Sequence, residues 1–190
     1  MFDYIVKVIK SPKNTFKEEI PTLAFVMFLI FGGLVNYLYL ESFLRFGLKN
    51  FLNLYKQIVP NIDEFINTFS VDPVKLLLLS IIIPVIFLFL TTAIYEMGAQ
   101  LFFKKQNGVK LMKNLAFASI PMVFGRLLYS IFMIFNVHFL TLINFLFSIW
   151  EVLLFILAIS ETYEIDKAKA VIIYLLPLIL IVISLIPLFI

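Results

Sequence analysis

Glu96, Gln100, Arg126 and Glu151 are polar residues set inside long apolar runs. Charge in a hydrocarbon layer is costly, so such residues mark ion or proton pathways, or structural ion pairs. Two carboxylates and one guanidinium have the chemistry to bind a cation, to pass a proton, or to fix helix register. With two acids to one arginine, one carboxylate has reason to stay protonated. Gln100 follows Glu96 by one helical turn and shares its face. A helix rises about 1.5 Å per residue, which puts Arg126 about 15 Å and Glu151 about 20 Å from the outer end of their spans. Glu96 falls about 10 Å from the inner end of its own span, so all three reach one depth in a core of about 30 Å. The expected arrangement pairs Arg126 with Glu151 and sets Glu96 beside them, as a register-fixing ion pair or as a polar cavity.

A second group is basic. Lys104, Lys105, Lys110 and Lys113 surround the turn signal Gln106-Asn107-Gly108, with apolar runs on both sides. This reads as the tip of a transmembrane hairpin, facing lipid or a partner. Each such lysine attracts anionic headgroups by about 1 kcal/mol, and lysines of this kind also set topology. Asn36 and Asn144 suit interhelical amide hydrogen bonds. The lone His138, at a span boundary, reads as interfacial rather than as a metal ligand.

Other chemistry is missing from the pattern. There is no HExxH, no GxSxG and no phosphate-binding glycine loop. Cysteine is absent, which excludes thiol catalysis, disulfides and thiolate metal sites. No catalytic residue, metal or cofactor is expected. The net charge of +3 is small and its lysines lie in loops, so nucleic acid is not an expected partner.

The elements that must position these residues are membrane spans. The chain is 63% hydrophobic and 14% charged, with mean hydropathy +1.07, too little polar surface for a water-solvated domain of this length. Five spans are expected, at about residues 21–40, 76–103, 113–136, 138–160 and 170–190. No small-residue cleavage site follows the first, which makes it an anchor. Its Gly32 and Gly33 allow close helix contact. Pro84 and Pro121 should kink the second and third spans.

Residues 1–19 read as a cytoplasmic amphipathic segment. Phe2, Ile5, Val6 and Ile9 share one helical face, opposite Asp3, Lys7 and Lys10. Ser11 and Pro12 suit the N-cap and first position of a further helix, and Thr15 and Glu18 have capping-box spacing. Two more amphipathic units lie between residues 41 and 75, with Leu44, Leu48, Phe51, Leu52 and Tyr55 together, then Ile62, Phe65, Ile66 and Phe69. They read as interfacial helices or covers for helix ends. Lysines then decide sidedness. Ten of them, from Lys7 to Lys17, Lys104 to Lys113, and Lys167 and Lys169, fall on the side of the N-terminus, which predicts an N-in, C-out topology. The fold class is therefore an all-α, polytopic helical bundle, a single membrane domain over residues 1–190.

Three segments carry a family resemblance. Ser11-Pro12-Lys13-Asn14-Thr15-Phe16 precedes the first span. Ala116-Phe117-Ala118-Ser119-Ile120-Pro121 follows the Gly- and Lys-containing loop. Trp150 is followed by a polar turn and Lys167-Ala168-Lys169-Ala170. The pattern resembles the YIP-domain (Ypt-interacting protein) family, in particular its short prokaryotic members. The resemblance implies a five-span helical membrane domain with a cytoplasmic N-terminus. Eukaryotic relatives act in membrane traffic, bind Rab-type GTPases and associate with one another. The long cytosolic N-terminal region of those relatives is not in this sequence, and their paired central glycines are reduced to Gly108.

The expected function is that of a non-enzymatic, multi-pass protein of the cell membrane. It would organise membranes or partners through helix packing and a basic cytoplasmic face. Its expected partners are anionic lipid headgroups and either a second copy or another membrane protein. The alternative is a small ion- or proton-coupled transporter or channel using Glu96, Arg126 and Glu151.

Overall fold

The computed structural model of the chain describes residues 1–47, 72–133 and 140–185, and every regular element among them is helical. Helix α1 is Phe2–Lys10 and α2 is Pro12–Lys17. Helix α3, Thr22–Ser42, runs into a π-helical stretch, Phe43–Gly47. Helix α4 is Pro73–Phe103, α5 is Gly108–Ala118, α6 is Ile120–Met133, α7 is Leu140–Tyr163 and α8 is Lys167–Leu185.

Four helical stretches are long and apolar enough to cross a membrane: Thr22–Ser42, Pro73–Phe103, Gly108–Met133 and Leu142–Tyr163. Helix α8 opens the expected fifth span, whose end lies outside the described residues. The amphipathic units read after Gly47, and His138, also lie outside them. The long helices leave wide apolar faces uncovered. On α4, Ile82, Ile83, Ile86, Phe87, Phe89 and Leu90 are all exposed. Water would not tolerate so continuous an apolar surface, whereas hydrocarbon does, because each helix satisfies its own backbone.

Local signals set the helix ends. Asp72 Oδ1 accepts the Val74 amide at 2.8 Å, so Asp72 caps α4 and Pro73 takes its first turn. Helix α4 is 31 residues long, about 46 Å, so it outreaches a hydrocarbon core of about 30 Å. It stays helical through Pro84. Its far end stops at Lys104, and α7 stops at Glu164; both residues take positive φ, 54° and 53°. The α7 stop is a Schellman turn, in which the Ile165 amide donates to the Ser160 carbonyl at 3.1 Å. The expected third span is divided at Ser119, whose hydroxyl donates to the Ala116 carbonyl at 2.7 Å, just before Pro121. The expected capping box at Thr15 is replaced. Helix α2 already starts at Ser11-Pro12, so Thr15 lies inside it and donates to the Ser11 carbonyl at 3.0 Å. Glu18 instead pairs with Lys7 at 3.0 Å.

The chain forms two compact units. The first comprises Met1–Leu29, Val85–Ile120 and Ile149–Ile190. Its hub is α5, where Leu111, Asn114, Leu115, Phe117 and Ala118 are fully buried. Phe117 stacks on Phe28 at 4.7 Å between ring centroids and meets Tyr4 edge-on at 6.1 Å. Helix α1 thus packs inward through Tyr4, Ile5 and Val8, while Phe2, Val6 and Ile9 remain exposed. The second unit comprises Ile30–Pro84 and Pro121–Ser148. There α3 and α4 approach closely at Gly33, where an added Cβ would sit 2.6 Å from Ile81 Cγ1 and 3.2 Å from its Cα.

Candidate functional site

In the first unit, Glu96 sits on the last third of α4 and holds the hairpin turn. Its Oε2 accepts the Asn107 amide at 3.3 Å and also the Tyr163 hydroxyl from α7. Gln100 Nε2 donates to Oε1 at 3.4 Å. Glycine at 108 brings the start of α5 against the carboxylate, since a Cβ there would lie 3.4 Å from Glu96 Cδ. An anion beside the first amides of a helix is favoured by the helix dipole, and Asn107 itself makes no side-chain cap.

One turn into α5, Lys110, Lys113 and Asn114 share a face and cover the end of α2. A helix end leaves carbonyls without partners, and here α5 supplies the donors. Lys110 Nζ donates to the Lys17 carbonyl at 2.9 Å, and Asn114 Nδ2 donates to that of Phe16 at 3.0 Å. Lys113 Nζ reaches the Ile20 carbonyl, just beyond, at 2.9 Å. Asn114 Nδ2 also donates to Thr162 Oγ1 at 2.9 Å, while its Oδ1 is buried without a partner.

Beside this junction a cleft of about 500 Å³ opens at the turn between α7 and α8. Lys13, Lys17, Lys110 and Lys167 line it together with Glu161, Glu164 and Asp166. Lys17 Nζ lies 3.9 Å from Glu161 Oε2. Asp166 caps α8: its Oδ1 accepts the Lys169 amide at 2.9 Å, and that bond holds its carboxyl below the usual carboxylate range.

In the second unit, Arg126 Nη1 donates to Asn36 Oδ1 at 3.0 Å, and its guanidinium lies 5.9 Å from the Tyr39 ring centroid. Asn36 Nδ2 donates onward to the Ser80 carbonyl at 3.2 Å. Tyr39 meets Tyr129 edge-on at 5.2 Å.

Of the three residues expected at one depth, Arg126 belongs to the second unit, and Glu96 and Glu151 to the first. The described partners of Arg126 are an amide and an aromatic ring. Those of Glu96 are a backbone amide, a phenol and Gln100. Glu151 lies in the middle of α7. The basic loop also divides. Lys104 and Lys105 are exposed at the turn, but Lys113 is buried, because α5 begins at Gly108 and turns this lysine inward onto a carbonyl. Asn114, Tyr163 and Ser80 were not singled out from sequence. The spacing Lys110, Lys113, Asn114 was the available signal, three polar residues on one face of an otherwise apolar helix.

These features define a polytopic helical membrane protein whose polar side chains gather at helix ends and helix crossings. A family model, the Yip1 domain, matches residues 6–188, and the chain belongs to that family. Comparison with curated proteins and with solved structures gives no match.

Proposed function

We propose that the protein is a non-enzymatic organiser of the cell membrane, crossing it five times with the N-terminus inside and the C-terminus outside. It would act through helix packing and through a basic cytoplasmic face that meets anionic headgroups and a second copy or another membrane protein. The observation that supports this reading is how its polar groups at helix ends and crossings are used. Glu96 holds a turn, Asn36 holds a helix carbonyl, and Lys113 and Asn114 hold the segment around the end of α2. Groups engaged with backbone in this way fix architecture. Meanwhile Lys104, Lys105, Lys13 and Lys167 stay exposed toward headgroups or partners.

Flux in proteoliposomes tests this reading. The native protein should pass neither protons nor a panel of cations above the empty-vesicle rate, at any imposed pH gradient. A flux that Glu151→Gln or Arg126→Gln abolishes at matched reconstitution would overturn the proposal and make the intramembrane charges a transport site.

A further inference from the structure

The cleft beside the α7–α8 turn is lined by four lysines and three carboxylates. We propose that it binds the headgroup of a phospholipid that carries a primary amine next to its phosphodiester, as phosphoethanolamine does. Its place comes first. The cleft lies where α7 ends at Tyr163 and α8 begins at Lys167. Helix α7 is long and apolar enough to cross a membrane; on the proposed five-span reading, on which this inference rests, the cleft at its end stands at headgroup level.

Its charges come next. Ammonium groups enter from three separate segments: Lys13 and Lys17 of α2, Lys110 of α5, and Lys167 of α8. Lys110 is engaged with the Lys17 carbonyl, and Lys17 stands 3.9 Å from Glu161. Lys13 and Lys167 are exposed and make no ion pair or hydrogen bond among the described residues. On the acidic side Asp166 is committed to the Lys169 amide. Glu161 is held at 12% side-chain exposure beside Lys17. Glu164, exposed just past the end of α7, has no described partner.

The cleft therefore offers two uncommitted ammoniums and one uncommitted carboxylate. A purely anionic group would meet the ammoniums but also Glu164, Glu161 and Asp166. A purely cationic group would meet four lysines. A ligand with both signs a few ångströms apart satisfies both sets. The volume of about 500 Å³ falls within the range of small-molecule sites, about 300–1,000 Å³.

The test uses the full chain, reconstituted in vesicles of equal parts phosphatidylethanolamine, phosphatidylglycerol and phosphatidylcholine. The protein is then extracted in mild detergent and its retained lipid measured by mass spectrometry. Phosphatidylethanolamine should be enriched several-fold over both others. The double variant Lys13→Ala with Lys167→Ala should lose that enrichment. Glu164→Gln should erase the preference over phosphatidylglycerol while retaining lipid. These three side chains are exposed, so folding is not at stake. Equal retention of all three lipids would overturn the proposal, as would enrichment that none of the variants moves. Displacement of the lipid by soluble glycerophosphoethanolamine at low concentration would assign the cleft to a free metabolite and overturn the lipid assignment.

Discussion

Asn36 Nδ2 donates to the Ser80 carbonyl at 3.2 Å, and that carbonyl is the one Pro84 leaves without its helical donor. In an α-helix the amide of residue i bonds the carbonyl of residue i−4, and proline has no amide hydrogen. Hydrocarbon supplies no water to fill the gap, so a neighbouring helix must. Helix α3 does so, and Arg126 orients the amide by occupying Asn36 Oδ1. This accounts for a helix that continues through an internal proline. It also predicts a coupling. Asn36→Leu should destabilise the protein by about 1 kcal/mol, a usual size for an interhelical hydrogen bond in a membrane. In a Pro84→Ala background, where the Ser80 carbonyl regains its own donor, the same substitution should cost clearly less. Thermal unfolding of the four variants in one detergent gives the comparison.

Gly33 makes that bond reachable. Any Cβ at this position meets Ile81 at 2.6 Å, and the backbone of Ile81 at 3.2 Å. Gly33→Ala should therefore force α3 and α4 apart and cost about 1–3 kcal/mol, the usual range for overpacking. Gly32→Ala, where the nearest atom would be Val123 Cγ2 at 3.8 Å, should be nearly silent. Melting temperatures of the two variants, measured side by side, separate these outcomes.

The Glu96 contacts predict an ordered series. Glu96→Ala removes the acceptor for the Asn107 amide and the Tyr163 hydroxyl together; Asn107 is exposed to water, but Tyr163 is buried, and a buried donor left unmet costs about 1–3 kcal/mol. Tyr163→Phe removes one donor and leaves the carboxylate its amide contact, so it should cost less, about 1 kcal/mol. Protease or label accessibility of residues 104–107 should rise in the first variant and change little in the second.

Asp166 gives a pH prediction. Its folded pKa is depressed, chiefly by the Lys169 amide. A depressed folded value means that its stabilisation is fully present above the unfolded pKa, near 4. That stabilisation is lost as pH falls through the folded value. The first turn of α8 should keep its hydrogen-exchange protection at neutral pH and lose part of it below about pH 4. Asp166→Asn, which can still cap the helix, should flatten that dependence.

Much of this was legible in the sequence, for reasons that particular residues show. Apolar runs of span length announce membrane helices, because only a helix satisfies its backbone in lipid. Gly33 and Asn36 were readable as a close contact and an interhelical amide. The partners of Glu96 were not legible: the chain reverses after Lys104 and brings the Asn107 amide back onto this carboxylate, a contact that no residue count along one helix shows. Lys113 misled for a related reason. A lysine near a turn reads as exposed unless one knows which carbonyls a neighbouring segment leaves bare, and that is a tertiary fact. Thr15 shows the same limit on a smaller scale, since Ser11 and Pro12, four and three residues earlier, offered a competing and stronger helix start.

The most direct test of the account is sidedness, and the absence of native cysteine makes it clean. Single cysteines placed at Asp3, Lys105 and Glu164 in the otherwise cysteine-free chain would be probed in intact cells and in inverted vesicles with a membrane-impermeant maleimide. The contacts of Lys17 with Lys110 and Glu161 place these three segments at one end of the first unit. All three should react in inverted vesicles and none in intact cells. Reaction of any one of them in intact cells would contradict the shared cytoplasmic face on which the proposed function rests.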